Sequence, residues 1–301
     1  MTPAIDNARP AALFPGQGSQ VPGMRDLVET RAPDLLERCL ELVGEDPFAR
    51  VEESTRFQQP AIFCASIAGW RGLAGDVEPA AAAGHSLGEL AALAAAGVLG
   101  VDDALELVVL RGRLMAEADD SGSMLALVGA DEAEAAQIAD AAGLIVANDN
   151  APGQAVLAGE RDRFDRAEEL AGELGKRAIR LPVAGAFHSP SMAPAVAPFR
   201  AALDDVELGE PRFTVFSCAS AQPFADVRDE LARALIRPVR WRETFTALHE
   251  AGVTRFIEVG PGKVLARLGK RILPGTKVET PARGEGEAAA GDERSEAGAH
   301  A

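Results

Sequence analysis

Cysteine is scarce in this chain, and its few copies do not pair. Cys39, Cys64 and Cys218 are the only three in 301 residues, widely spaced and without a C-x-x-C step. That excludes a disulfide framework and a zinc site and fits a reducing, cytoplasmic compartment. Basic residues are also short, 30 Lys and Arg against 46 Asp and Glu, for a formal net charge of -16. Such a surface repels phosphate backbones and anionic bilayers, so neither nucleic acid nor membrane is an expected partner. A polyanionic partner has to meet a local basic patch. The visible clusters are Lys176-Arg177 with Arg180, Arg237 with Arg240 and Arg242, and Arg267 with Lys270-Arg271. No apolar stretch marks residues 1–10, and His85 and Glu89 interrupt the alanine-rich region, so neither a signal peptide nor a membrane span is expected. Histidine is limited to His85, His188, His249 and His300, which keeps the choice of a catalytic base small.

What is present is an ordinary soluble composition, 47% hydrophobic, in a chain long enough for one large domain or two smaller ones. Ala11-Ala12-Leu13-Phe14 reads as an opening strand running into the Gly-rich loop Pro15-Gly16-Gln17-Gly18-Ser19-Gln20. Helical patterns follow at about 24–44 and 58–74. The small-residue run Pro79-Ala80-Ala81-Ala82-Ala83 then enters Gly84-His85-Ser86-Leu87-Gly88, with helices at 86–96 and 102–118. Strand and helix alternation of this kind predicts a parallel sheet covered on both faces. From residue 124 the order becomes β-α-β-β-α-β: strands at 124–128, 144–147, 154–159 and 177–181, helices at 131–142 and 161–174. That order is the ferredoxin-like unit. The expected architecture is therefore α/β, a parallel-sheet serine-nucleophile domain of hydrolase-like type (residues 1–123 and 186–280) with an inserted ferredoxin-like (βαββαβ) subdomain at 124–185. The chain returns to the large domain through strands near 213–218 and 255–259 and helices near 225–236, 241–251 and 263–271. Residues 281–301 lack apolar periodicity and read as a disordered tail. A ligand site is expected in the groove between the two units.

The chemistry-bearing residue is Ser86. A strand, a sharp turn and a helix place its hydroxyl at an apex, with the helix N-terminus facing any anion formed there. A serine needs a base, and His188, in Ala186-Phe187-His188-Ser189-Pro190, follows the inserted unit and could reach back over the groove. His85 neighbours the serine and leaves the turn in another direction, His249 lies in a helical stretch, and His300 in the tail. An oxyanion hole needs two fixed donors, for which the Leu87 amide is one and the Gln17 amide, between Gly16 and Gly18, is the other. Arg111 falls on a helix among Leu107, Val108, Leu110 and Leu114. It needs an anion, either a substrate carboxylate or one of the chain's own acidic residues. Gly260-Pro261-Gly262-Lys263-Val264 lacks Walker spacing and reads as a turn into a helix.

Together, Phe14-Pro15-Gly16-Gln17-Gly18-Ser19-Gln20, Gly84-His85-Ser86-Leu87-Gly88-Glu89, Arg111-Gly112, Asn150-Ala151-Pro152-Gly153-Gln154, Ala186-Phe187-His188-Ser189 and Glu258-Val259-Gly260-Pro261-Gly262 resemble the malonyl-CoA:acyl carrier protein transacylases, in order over about 11–280. The resemblance implies a ping-pong transfer of malonyl from malonyl-CoA, through a serine ester, to the phosphopantetheine thiol of acyl carrier protein. It implies Ser86 as nucleophile, His188 as base, Gln17 and Leu87 as oxyanion donors, and Arg111 as partner of the malonyl carboxylate. Phe187, Asn150 and Met115 are implied as further substrate-binding residues, Phe187 as a determinant of malonyl over methylmalonyl. An alanine, Ala234, stands near where the family often has Gln or Asn, but it keeps the carbonyl that orients the histidine. Leu90 replaces a commoner tyrosine.

No cofactor or metal is implied, and a cytoplasmic monomer is expected. Carrier proteins of this family's pathway are acidic, as is this chain, so docking calls for one of the basic clusters. A chain without fused neighbours leans towards fatty-acid synthesis over a polyketide line. Two rival readings are an α/β-hydrolase, which wants its histidine near the C-terminus, and a non-catalytic carrier-binding subunit, against which intact Ser86, His188 and Arg111 argue.

Overall fold

The computed structural model describes residues 8–73, 75–118 and 121–281. Its first strand, β1 (Ala11–Phe14), is buried along its whole length, as a central parallel strand must be. Where the apolar pattern predicts one helix over 24–44, there are two, α1 (Met24–Arg31) and α2 (Pro33–Val43). Pro33 is the cause. It has no N–H to donate and its ring disfavours helical backbone at Ala32, so it opens α2 instead of continuing α1. α3 (Thr55–Arg71) begins earlier than residue 58 because Ser54 caps it, accepting from the Arg56 amide at 3.2 Å. β2 (Ala81–Gly84) then leads through the Ser86 turn into α4 (Gly88–Ala96), followed by α5 (Val101–Ala118).

The next six elements are β3 (Gly122–Val128), α6 (Glu132–Ala142), β4 (Ile145–Ala151), β5 (Gln154–Glu160), α7 (Phe164–Glu173) and β6 (Arg177–Arg180). They build a four-stranded antiparallel sheet in the order β4-β5-β3-β6. Leu125, Leu127, Ile138, Leu157 and Phe164 fill the space under α6 and α7. On the other face Met124, Ala126, Val156 and Ala158 join the main core, so the small sheet is buried on both sides. Val239 fastens it further, donating to the Ala147 carbonyl and accepting from the Asp149 amide, both at 2.8 Å.

The chain returns through α8 (Ala193–Asp204), β7 (Thr214–Ser217), β8 (Gln222–Pro223), α9 (Val227–Ala234), α10 (Trp241–Glu250), β9 (Phe256–Glu258), α11 (Val264–Ile272) and β10 (Val278–Glu279). The main sheet runs β10-β9-β1-β2-β7-β8, parallel except for β8. Side chains alternate across it. Ala12 and Phe14 face the core shared with α3, α4 and α5, while Ala11 and Leu13 face Trp241, Phe245 and Leu265 of α10 and α11. Strands β1 and β2 lie side by side at the centre, so the loops at their carboxyl ends, carrying Gln17 and Ser86, are neighbours. From residue 282 onward the tail expected at 281–301 lies outside the described residues.

Candidate active site

The serine turn is made possible by the glycines on either side. A Cβ on Gly84 would run into the Gly88 backbone, and one on Gly88 into the Phe14 carbonyl. Ser86 itself has φ 53°, a left-handed conformation that costs a non-glycine residue about 1–3 kcal/mol. Backbone bonds hold it there: His85 N–H donates to Phe14 O at 2.9 Å, Gly88 N–H to His85 O at 2.9 Å, and Glu89 N–H to Ser86 O at 3.1 Å. The hydroxyl is thereby fixed at the amino end of α4.

His188 arrives from the segment after β6 and is also left-handed, φ 57°. Its Nε2 lies 2.7 Å from Ser86 Oγ. Its Nδ1 faces two backbone carbonyls, Ala234 at 2.9 Å and Arg237 at 3.1 Å. Carbonyls only accept, so Nδ1 carries the proton and Nε2 offers its lone pair to the serine hydroxyl. Burial, helped by the positive charge of Arg111, pushes His188 down to about 3. The ring is therefore neutral near pH 7 and able to take a proton.

Arg111, on α5, is almost completely buried. One guanidinium nitrogen, Nη2, donates to Ser86 Oγ at 3.0 Å and the other, Nη1, to Gln59 Oε1 at 2.6 Å. Among the described residues no carboxylate bonds it directly, and the one carboxylate that acts on it, Glu89, does so only through space. Burial lowers its pKa to about 10, opposed by the charge of Glu89, which leaves it cationic. Gln59 continues the network, donating through Nε2 to Thr55 Oγ1 at 2.8 Å and lying 3.3 Å from Met115 Sδ. Thr55 Oγ1 donates to Gln17 Oε1 at 2.8 Å, and Gln17 Nε2 to Gln58 Oε1 at 2.6 Å. The Gln17 loop is thus fastened to α3. A Cβ on Gly16 would lie 2.5 Å from His85 O, so glycine there lets this loop lie against the serine turn. The backbone amides of Gln17 and Leu87 donate to no group among the described residues.

Residues 12–282 match the acyl transferase domain family. The chain belongs to that family. The malonyl CoA-acyl carrier protein transacylase of Bacillus subtilis is 39% identical over 284 residues, covering 87% of this chain and 90% of that protein. The polyketide biosynthesis protein ThaF of Burkholderia thailandensis is 40% identical over 279 residues, covering 88% of this chain. This chain spans only 24% of ThaF. Among solved structures, a type II polyketide malonyl-transacylase in complex with its holo acyl-carrier protein superimposes with a TM-score of 0.82 at 35% identity, covering 90% of this chain and 94% of that one.

In this acyl transferase the residues singled out from sequence gather around one point. Ser86, His188 and Arg111 form one hydrogen-bonded chain, Gln17 and Met115 meet at Gln59, and Leu87 and the buried Phe187 flank the serine and histidine in sequence. Asn150 is fully buried, its Oδ1 accepting from His85 Nε2–H at 2.8 Å, so it supports the turn from within. The tail histidine, His300, lies outside the described residues, and His249 Nδ1 is bound to the Val253 carbonyl at 3.0 Å. Thr55, Gln58, Gln59 and Glu89 were missed. The signal was available: all four are polar and nearly or fully buried on helices otherwise lined with Ala, Phe, Ile and Leu. Glu89 Oε1 accepts from the Cys218 amide at 2.7 Å, and burial raises its carboxyl to about 7. Among the described residues no His, Cys, Asp and Glu cluster could hold a metal ion, and no helix is long and apolar enough to cross a membrane.

Proposed function

We propose that this acyl transferase moves malonyl from malonyl-CoA to the phosphopantetheine thiol of an acyl carrier protein in fatty-acid biosynthesis, through a malonyl ester of Ser86. One observation carries the reading: a buried guanidinium that hydrogen-bonds only neutral groups stands 3.0 Å from the nucleophile. A malonyl carboxylate fits that fork with two charge-assisted hydrogen bonds. An acetyl group leaves it empty.

In the first half-reaction His188 Nε2 takes the Ser86 proton as Oγ attacks the thioester carbonyl. The oxyanion is received by the Gln17 and Leu87 amides, already in place before charge develops. Collapse breaks the C–S bond, and the imidazolium returns its proton to the coenzyme A thiolate. In the second half-reaction the carrier thiol gives its proton to His188, attacks the ester, and Ser86 leaves as the hydroxyl. The Ala234 and Arg237 carbonyls orient the ring and offset the imidazolium without a full negative charge. Phe187 narrows the space beside the malonyl central carbon, and Met115, packed on Gln59, borders Arg111. All these groups come from one chain, as a monomer requires, and none calls for a cofactor.

Residues 1–123 and 186–280 act as the catalytic domain, with 124–185 as a ferredoxin-like subdomain bounding the groove that admits the thiol arm. Three buried free cysteines fit a cytoplasmic setting. The test is intact-protein mass after incubation with malonyl-CoA alone. Wild type is expected to gain one malonyl group and Ser86→Ala none; an unmodified, folded wild type would sink the ester mechanism.

A further inference from the structure

We propose that Glu89 is the resident counter-charge of Arg111, and that Glu89 takes up a proton when a substrate carboxylate arrives at Arg111. The inference rests on the reading of Arg111 as the malonyl partner. Glu89 has no part in the transfer chemistry above, yet it is buried on α4 three residues after the nucleophile, with 2% of its surface exposed. A carboxylate that deep is costly to ionise unless something compensates it. Its direct partner is the Cys218 amide at 2.7 Å. α4 packs against α3, α5, β1, β2 and β7. The charged or titratable groups acting on Glu89 are Arg111 from α5 and Cys218 just past β7, with the Ser217 hydroxyl beside it. His188 and His85 complete the cluster, and Arg111 acts on His188 in turn.

Arg111 on its side has hydrogen bonds only to neutral groups, Gln59 Oε1 and Ser86 Oγ. With Glu89 ionised, the buried pair is neutral overall. A malonyl carboxylate adds a second negative charge to one guanidinium, and two carboxylates in a low-dielectric site cannot both stay ionised without cost. The newcomer takes the fork directly, whereas Glu89 holds Arg111 only through space. Glu89 is therefore the group that protonates, and the proton comes from solvent and returns when malonyl leaves. Burial already sets the Glu89 carboxyl near neutrality, at about 7. Below that pH Glu89 is neutral and Arg111 is unopposed; above it, ionised Glu89 competes with the substrate. Half-saturating malonyl-CoA should rise about tenfold between about pH 6.5 and about pH 8.5, with no matching rise for acetyl-CoA.

The test is calorimetry of malonyl-CoA binding to Ser86→Ala, which cannot turn over, at about pH 7 in two buffers of different ionisation enthalpy. About half a proton should be taken up per malonyl bound, and this uptake should vanish in Ser86→Ala with Glu89→Gln. Phosphates of coenzyme A contribute equally to both proteins, so the difference belongs to Glu89. Equal uptake in both, or none in either, overturns the proposal. Should the double variant fail to fold, wild-type acylation with malonyl-CoA and acetyl-CoA across the same pH range decides it. Parallel pH profiles overturn the proposal, and a rise for malonyl alone supports it. Absence of both binding heat and a wild-type adduct would instead overturn the malonyl reading itself.

Discussion

Ser86 and His188 are two of three described non-glycine residues with positive φ, the third being Ala221 in the turn between β7 and β8. Strain of this kind persists only where surrounding bonds hold the residue, as the backbone bonds of the turn hold Ser86 and the two carbonyls on Nδ1 hold His188. At the same scale, the proposed function makes Arg111 the residue that selects the acyl group. Replacing Arg111 with alanine removes two charge-assisted hydrogen bonds to the malonyl carboxylate, about 3 kcal/mol, so acylation by malonyl-CoA should fall about 100-fold. Acetyl-CoA acylation should change far less, so the ratio of the two rates, read by intact mass against time, is the measure. Arg111→Lys keeps charge but not the planar fork and should recover only part of the preference. A ratio unchanged in Arg111→Ala would place the malonyl contact elsewhere.

Elements hold these residues in register, and the loop between β9 and α11 is the least obvious of them. Glu258 accepts from the Leu265 amide at 3.0 Å and the Ala266 amide at 2.8 Å, capping α11. Gly262, φ 76°, comes so close to the Gln17 loop that a Cβ would lie 2.7 Å from Ser19 O. Ser19 Oγ in turn donates to Gly16 O at 2.7 Å. Gly262→Ala should therefore shift the loop that presents the Gln17 amide. We expect about tenfold slower acylation with half-saturating malonyl-CoA within about twofold, and about 1–3 kcal/mol lost from stability in urea. Unchanged acylation would detach this loop from the oxyanion hole. The sequence showed Gly260-Pro261-Gly262 as a turn into a helix but not what it leans on, because that contact joins opposite ends of the chain. Much else was legible: the serine turn, the return of His188 and the opening strand β1 follow from local pattern. α8 was not expected, and it carries two prolines, Pro194 in the first helical turn, where no donor is needed, and Pro198 inside the helix. Gln59 escaped for a different reason, because its purpose appears only when α5 brings Arg111 against α3.

Over the whole molecule a charge of -16 opposes an acidic partner, so the docking surface must be where the structure leaves positive charge uncancelled. In two of the three basic clusters most of the charge is paired internally. Lys176 pairs with Glu134 at 2.8 Å and Arg180 with Glu168 at 2.7 Å and with Asp165. Arg242 pairs with Asp149 at 2.7 Å and Glu132 at 2.6 Å, and Arg240 with Glu243. The third lies along α11, where Lys270 and, at the start of the helix, Lys263 are exposed, beginning beside the loop that backs Gln17. An acyl carrier protein approaching from that side would bring its thiol arm to the mouth of the site. Reversing Lys263 and Lys270 to glutamate should raise the half-saturating carrier concentration about tenfold at low salt, and the gap should close as salt rises. Malonylation of Ser86 in the absence of carrier should not change, because both side chains are exposed and neither bonds a residue of the site. Transfer kinetics at low and high salt would check it, and a variant that saturates with carrier as readily as wild type would move the docking surface off α11.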